Sequence, residues 1–190
     1  MNNFSECYTA VRNRVLNELS LALNHIDPAD LERLKIEVLK AEQVFFIGVG
    51  RVFLSLQSVA KRMAHIGISA HCVGEITEPA ITARDLLIVA SSSGNTLVPL
   101  AIAKKAKSIG AMVIHIGSNP ESEMRDIAEF MLRIPVQTKL NREDEIKSAQ
   151  PMTSLFEQSV LLLGDILVQL IIEEKSIDLK WLWQHHANLE

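Results

Sequence analysis

Cysteine is nearly missing from this 190-residue chain: only Cys7 and Cys72 occur, far apart and outside any Cys-x-x-Cys pattern. That excludes a disulfide framework and a structural zinc site, and it fits a reducing cytoplasm. Aromatic residues are also scarce, at 5 %, and there is no excess of basic charge, the formal net charge being -4. Neither a nucleic-acid surface nor a polybasic membrane patch is therefore expected. Met1-Asn2-Asn3-Phe4 lacks the basic-then-apolar order of a signal peptide. The longest apolar run, residues 161–172, is interrupted by Gly164, Asp165 and Gln169 and reads as too short to span a bilayer. Internal repeats and low-complexity stretches are absent. What is abundant is aliphatic: 48 % of residues are hydrophobic, enough for a substantial core in one soluble domain over 1–190.

The most informative stretch is Ser91-Ser92-Ser93-Gly94-Asn95-Thr96. Before it, Leu86-Leu87-Ile88-Val89 has the length and character of a buried strand. After it, Leu97, Leu100, Ala101, Ala103 and Ile109 fall on one side of a helix and Lys104, Lys105 and Lys107 largely on the other. A strand feeding a helix through hydroxyls and a glycine suits a phosphate, because a helix start carries unpaired N–H groups and positive dipole. Gly94 permits close approach, and Ser91, Ser93 and Thr96 supply donors. An ordinary capped loop has the same composition. No Gly-Lys-Ser/Thr follows, so this is not a nucleotide P-loop.

In chain order, two helices lead, over about 4–26 and 28–41, with Pro28 suited to a first turn. They form a helical hairpin or an arm that packs elsewhere. Strands follow at 44–47, 69–73, 86–90, 111–116 and 130–134. Helices lie between them at 52–65, ending near Gly67, and from 97 to Gly110, with a short one at 121–128. Alternation of this kind predicts a parallel sheet covered on both faces, with ligands at the carboxyl ends of its strands. Gly48-Val49-Gly50-Arg51 and the serine loop both fall there. Residues 135–149 read as a surface loop. Pro151 then opens a helix over 152–173 that is apolar nearly all round, one face for the sheet and another for a partner chain. A short helical tail at 179–186 holds both tryptophans.

Taken together, Gly48-Val49-Gly50-Arg51, Lys61-Arg62-Met63-Ala64-His65-Ile66-Gly67, Val73-Gly74-Glu75, Pro79-Ala80, the serine loop, Ser118-Asn119-Pro120, Gln150-Pro151-Met152-Thr153-Ser154-Leu155-Phe156-Glu157-Gln158 and the closing His186-Ala187-Asn188-Leu189-Glu190 resemble the 6-phospho-3-hexuloisomerases. These belong to the sugar isomerase (SIS) domain superfamily. The resemblance implies a single α/β SIS domain, a flavodoxin-like three-layer αβα sandwich around a five-stranded parallel sheet. Its parts would be N-terminal helices at 1–42, a sheet core at 43–134 and C-terminal helices at 150–190. It also implies a cytoplasmic homotetramer with sites at subunit contacts. The implied reaction interconverts D-arabino-hex-3-ulose 6-phosphate and fructose 6-phosphate, with a phosphosugar partner and neither metal nor cofactor. Two positions depart from the pattern. Val52 stands where the family usually has serine, and Asn95 stands where its hydroxyl loop usually has glutamate.

Moving a carbonyl between neighbouring carbons passes through an enediol, so one base and one polar donor are needed. By the family match, Glu157 is the expected base, a carboxylate partly buried at a subunit contact. The spacing Ser154-x-x-Glu157 also fits a capping box, unless Pro151 is the first helical residue and Ser154 already lies inside. His65 would assist ring opening or donate to a sugar oxygen, or else simply complement a helix carboxyl terminus. Gly50, Arg51, Ser91, Ser93, Gly94, Asn95 and Thr96 would bind substrate and its phosphate, and Glu75 the sugar hydroxyls. Arg51 and Glu75 also read as solvated surface charges. His25, His71, His115, His185 and His186 have no metal-ligand spacing. The dinucleotide fingerprint fails at Phe53, where its third glycine would stand. Two other readings remain: a non-catalytic sugar-phosphate sensor on this fold, and an isomerase of another phosphosugar such as arabinose 5-phosphate.

Overall fold

The computed structural model describes residues 3–189. Met1, Asn2 and Glu190, which entered the reading of the chain ends, lie outside the described residues. Helices α1 (Phe4–Asn24) and α2 (Pro28–Lys40) lead. Each starts at a side-chain cap: Asn3 accepts the Ser5 N–H at 3.2 Å, and Asp27 accepts that of Ala29 at 2.8 Å, just ahead of Pro28. α1 packs on α5 (Ser154–Lys175), and α2 on α5 and β5 (Phe130–Arg133).

The sheet contains β1 (Val44–Ile47), β2 (Ala70–Cys72), β3 (Leu86–Ala90), β4 (Met112–Gly117) and β5, all parallel, in the order β2-β1-β3-β4-β5. The interior strands β1 and β3 are apolar and buried on both faces because both faces are covered. Val44, Phe46, Leu86, Ile88, Ile114 and Ile116 point to the layer of α1, α2, α3 (Gly50–His65) and α5. Phe45, Ile47, Leu87, Val89 and Val113 point to α4 (Leu97–Ile109) and the 3-10 turn Glu123–Asp126.

α3 and α5 lie side by side and run the same way, since Ser55 meets Glu157, Val59 meets Gly164 and Arg62 meets Asp165. Glycine is required at the crossing: a Cβ on Gly164 would sit 2.2 Å from Cγ2 of Val59. This close approach brings the first turns of both helices together at the carboxyl rim of the sheet.

Several expectations need correction. The short helix at 121–128 is only the 3-10 turn, and α5 begins at Ser154, because Met152 has φ +55 and Pro151 stands ahead of the helix. The segment 135–149 is not a plain surface loop. Val136 and Ile146 form a parallel bridge, and buried Glu145 accepts hydrogen bonds from Thr138 N (2.9 Å), Thr138 Oγ1 (2.6 Å) and Arg142 N (3.1 Å). α4 buries Pro99, Leu100, Ala103 and Ala106, leaving Leu97 and Ile109 exposed. Finally, α5 has 22 residues and is long and apolar enough to cross a membrane; 61 % of its most apolar stretch is buried in the protein. Gly164, Asp165 and Gln169 do not interrupt it, and burial rather than length marks it as a core helix.

Candidate active site

The strand order reverses between β1 and β3, where Ile47 is paired with Val89. A crevice opens at the carboxyl ends of two such strands because their following helices leave on opposite faces. Here α3 leaves on one face and α4 on the other. Both loops singled out from the sequence flank this crevice. Gly50 has φ +57, and a Cβ placed there would meet nothing within 4 Å, so the backbone is open to a ligand.

The serine loop is built from inside. His115 is 1 % exposed, and burial depresses its pKa to about 4, so the ring is neutral. Its Nε2 donates to the Ser91 carbonyl at 2.9 Å. Ser91, itself 4 % exposed, accepts the Gly94 N–H on Oγ at 3.1 Å, and that Oγ lies 3.0 Å from Thr96 Oγ1. Either hydroxyl can donate in that pair, because the Ser91 oxygen keeps a second lone pair after accepting from Gly94. Ser91 is the buried member of the pair and Thr96 the more exposed one.

Thr96 caps α4 without a side-chain bond to the helix N–H groups, leaving the first turn uncapped by protein side chains. That geometry accepts an oxyanion. Ser93 is half-buried and takes the Asn95 N–H at 3.4 Å, while Asn95 Oδ1 accepts the Glu123 N–H at 2.9 Å. The Asn95 carbonyl therefore serves the 3-10 turn rather than the crevice. Gly94 (φ +67) fits because a Cβ would lie 2.1 Å from Ser122 Oγ.

Glu157 stands beside the first turns of α3, in the first turn of α5, and is 7 % exposed. Its carboxylate accepts from Arg51 Nε and, at 2.9 Å, from Thr153 Oγ1, while its carbonyl accepts from Ser55 Oγ at 2.9 Å. The capping-box alternative does not form. The cap is Thr153 rather than Ser154, it makes no side-chain bond to the helix, and its hydroxyl donates to the carboxylate. Thr153 and Ser55 thus hold the acid in place. Thr153 was legible as part of a motif, but its role was not, because the role depends on where the helix begins.

His65 is not part of this cluster in one chain. It occupies the far end of α3, about 21 Å along the axis from Arg51 at 1.5 Å per residue. It is buried, Nδ1 lies 3.4 Å from Arg62 Nη1, and Nε2 has no partner. Glu75 is exposed at the carboxyl end of β2, on the same rim as the crevice. It contributes, after burial, to pushing the buried Cys72 thiol up to about 12. No group of three or more His, Cys, Asp or Glu that could hold a metal is found among the described residues.

A parallel sheet whose strand order reverses beside a glycine-serine loop defines an open α/β domain with a crevice at the carboxyl ends of its strands. A model of the SIS domain matches residues 37–162. The chain is 38 % identical to the 3-hexulose-6-phosphate isomerase of Bacillus subtilis over 176 residues, 93 % of this chain and 95 % of that one. With the enzyme of the same name from Mycobacterium gastri it shares 34 % over 176 residues, 93 % and 88 % of the two chains. A crystal structure from Methanococcus jannaschii, described as inferring a molecular function of 3-hexulose-6-phosphate isomerase, superposes with a TM-score of 0.83. It is 28 % identical, over 95 % of this chain and 99 % of that one. The chain belongs to the SIS family, among the 3-hexulose-6-phosphate isomerases.

Proposed function

We propose that this protein interconverts D-arabino-hex-3-ulose 6-phosphate and fructose 6-phosphate by proton transfer through an enediol. The observation that carries this reading is the buried Glu157 carboxylate, fixed by Arg51 and Thr153 at the rim where α3 begins. The phosphate binds at Thr96, Ser93 and the backbone at Gly94, with Ser91 behind them and Asn95 bracing the loop. Gly50 and Arg51 line the opposite wall, with Glu75 at the rim. The substrate anion competes for the Arg51 guanidinium, which is two-thirds exposed (67 %), and so releases the carboxylate to act as base. Glu157 takes the carbon-bound proton from one carbon and returns it to its neighbour.

The two sugar oxygens must also exchange a hydroxyl proton. A neutral imidazole can give its N–H to one oxygen and take the proton of the other, whereas an imidazolium has no lone pair to take it. We assign this task to His65 supplied by a second copy, because its own chain holds it at the far end of α3. The enzyme accordingly works as an oligomer with sites at subunit contacts, a homotetramer by family resemblance, in the cytoplasm. Exposed Leu162, Ile166 and Leu170 form an apolar row along α5 that suits such a contact.

The test is Glu157→Gln. Loss of a general base lowers turnover by about 10²–10⁴-fold, with thermal stability and inhibition by inorganic phosphate unchanged. Solvent deuterium then no longer enters the carbon-bound positions of fructose 6-phosphate followed by NMR. Near-normal turnover in the variant would remove Glu157 as the base. Binding without exchange by the wild-type protein would favour a sugar-phosphate sensor.

A further inference from the structure

Both tryptophans of the chain sit in one short segment beside His65. After α5 the backbone reverses at Ser176 (φ +50), Asp178 Oδ1 accepts the Lys180 N–H at 2.9 Å, and the 3-10 turn Trp181–His185 lands on the end of α3. Trp181 lies over Gly67, its Cη2 3.6 Å from where a Cβ would be. Ile177 and Leu182 anchor the turn on the edge of the core. The His186 ring then stacks on His65, with centroids 5.6 Å apart and planes at 21°, and Trp183 lies 5.3 Å from His186.

The hydrogen bonds fix the tautomers. Arg62 can only donate, so Nδ1 of neutral His65 accepts and the proton resides on Nε2, which is buried without a partner. His186 Nδ1 lies 2.9 Å from the Ala187 carbonyl and must donate to it. We propose that the C-terminal turn is a strap that sets the state of His65 in the isomerase reaction, with His186 as the positioning residue. This rests on the reading of His65 as the group that meets the substrate oxygens.

The groups that act on His65 all press its pKa in one direction. Burial comes first in lowering its pKa, followed by Lys61 and Arg62 on α3 and His186 and His185 on the strap. Asp165 on α5 lies 3.5 Å from Arg62 and partly offsets that guanidinium. Two stacked imidazoles do not both take a proton cheaply. The strap therefore keeps His65 neutral to lower pH than a solvated histidine. Removing it lets His65 protonate at higher pH.

The experiment compares wild type, His186→Ala and His186→Phe in the full chain. Three readouts are used: the NMR titration of the His65 ring, the kcat–pH profile, and emission from the two strap tryptophans. In His186→Ala the His65 midpoint rises and the acid limb of kcat moves to higher pH. Below the limb, turnover drops about tenfold for each pH unit of displacement. KM and inhibition by inorganic phosphate stay within about twofold, since the strap touches neither the phosphate loop nor Glu157. His186→Phe keeps a ring over His65 and restores most of the wild-type midpoint, because burial is the larger cause. An unmoved His65 midpoint in His186→Ala overturns the proposal, whatever happens to kcat. So does a loss of kcat that is uniform in pH. If the wild-type protein fails to turn over the phosphosugar pair, the functional reading falls, and the NMR titration decides the strap on its own.

Discussion

Gly94→Ala measures how far the serine loop depends on its internal packing. At φ +67 a side chain adds the left-handed penalty, roughly 1–2 kcal/mol. The new Cβ would also fall 2.1 Å from Ser122 Oγ, 2.5 Å from Ser122 Cβ and 3.0 Å from His115 Cε1. Ser122 and His115 are both buried and cannot yield easily, and overpacking of this kind costs about 1–3 kcal/mol. The sum, about 2–5 kcal/mol, is a large part of an ordinary domain's stability. For a chain of this length it corresponds to about 4–20 °C in Tm. The assay is urea unfolding of Gly94→Ala, Ser122→Gly and the double variant, with inhibition by inorganic phosphate measured in parallel. Ser122→Gly removes the two nearest atoms, so the double variant recovers the packing share and keeps the backbone share. The coupling should be about 1–3 kcal/mol. Gly94→Ala with wild-type stability and phosphate affinity would refute the reasoning, as would the absence of any coupling to Ser122.

Three further outcomes are expected. His115 titrates at about 4 in the folded chain against 6.5 as the reference. The unfolded state therefore binds more protons between these values, and stability falls as pH drops through that window. The loss is on the order of 3 kcal/mol, and the pH dependence of the urea midpoint should flatten there in His115→Gln. Cys72 is buried with its thiol raised to about 12, whereas Cys7 is exposed; a thiol reagent at pH 8 should label one cysteine in the native protein and both in urea. Glu145→Ala leaves three donors in the 138–142 turn without their acceptor. Several kcal/mol of local stability, ~2–3, should be lost, and limited proteolysis should begin at that turn.

The strands were legible as short, mainly apolar runs between turn residues, most plainly Val44–Ile47 and Leu86–Ala90, which are apolar throughout as only a sheet covered on both faces tolerates. The serine loop was legible for a local reason too, since its hydroxyls, glycine and helix start are contiguous. What failed was equally specific. The 135–149 segment looked like solvated chain because Glu145 and Thr138 are polar, yet they bury each other. Pro151 looked like a first helical residue, but Met152 takes a left-handed conformation and moves the start to Ser154. That displacement turned an apparent capping box into a hydroxyl that steadies the acid.

From the sequence alone came the layered α/β class, which depends on residues adjacent in the chain and on their period, and the family, which depends on the order and spacing of its motifs, with the serine loop and Glu157 as candidate site residues. Only the folded chain brought Arg51 to Glu157, placed His115 beneath Ser91, and set His65 at the opposite end of α3 beneath the His186 ring. Those pairings join residues 106, 24 and 121 positions apart, too far for any periodicity to encode. Strand order and the glycine-mediated contact of α3 with α5 decide them.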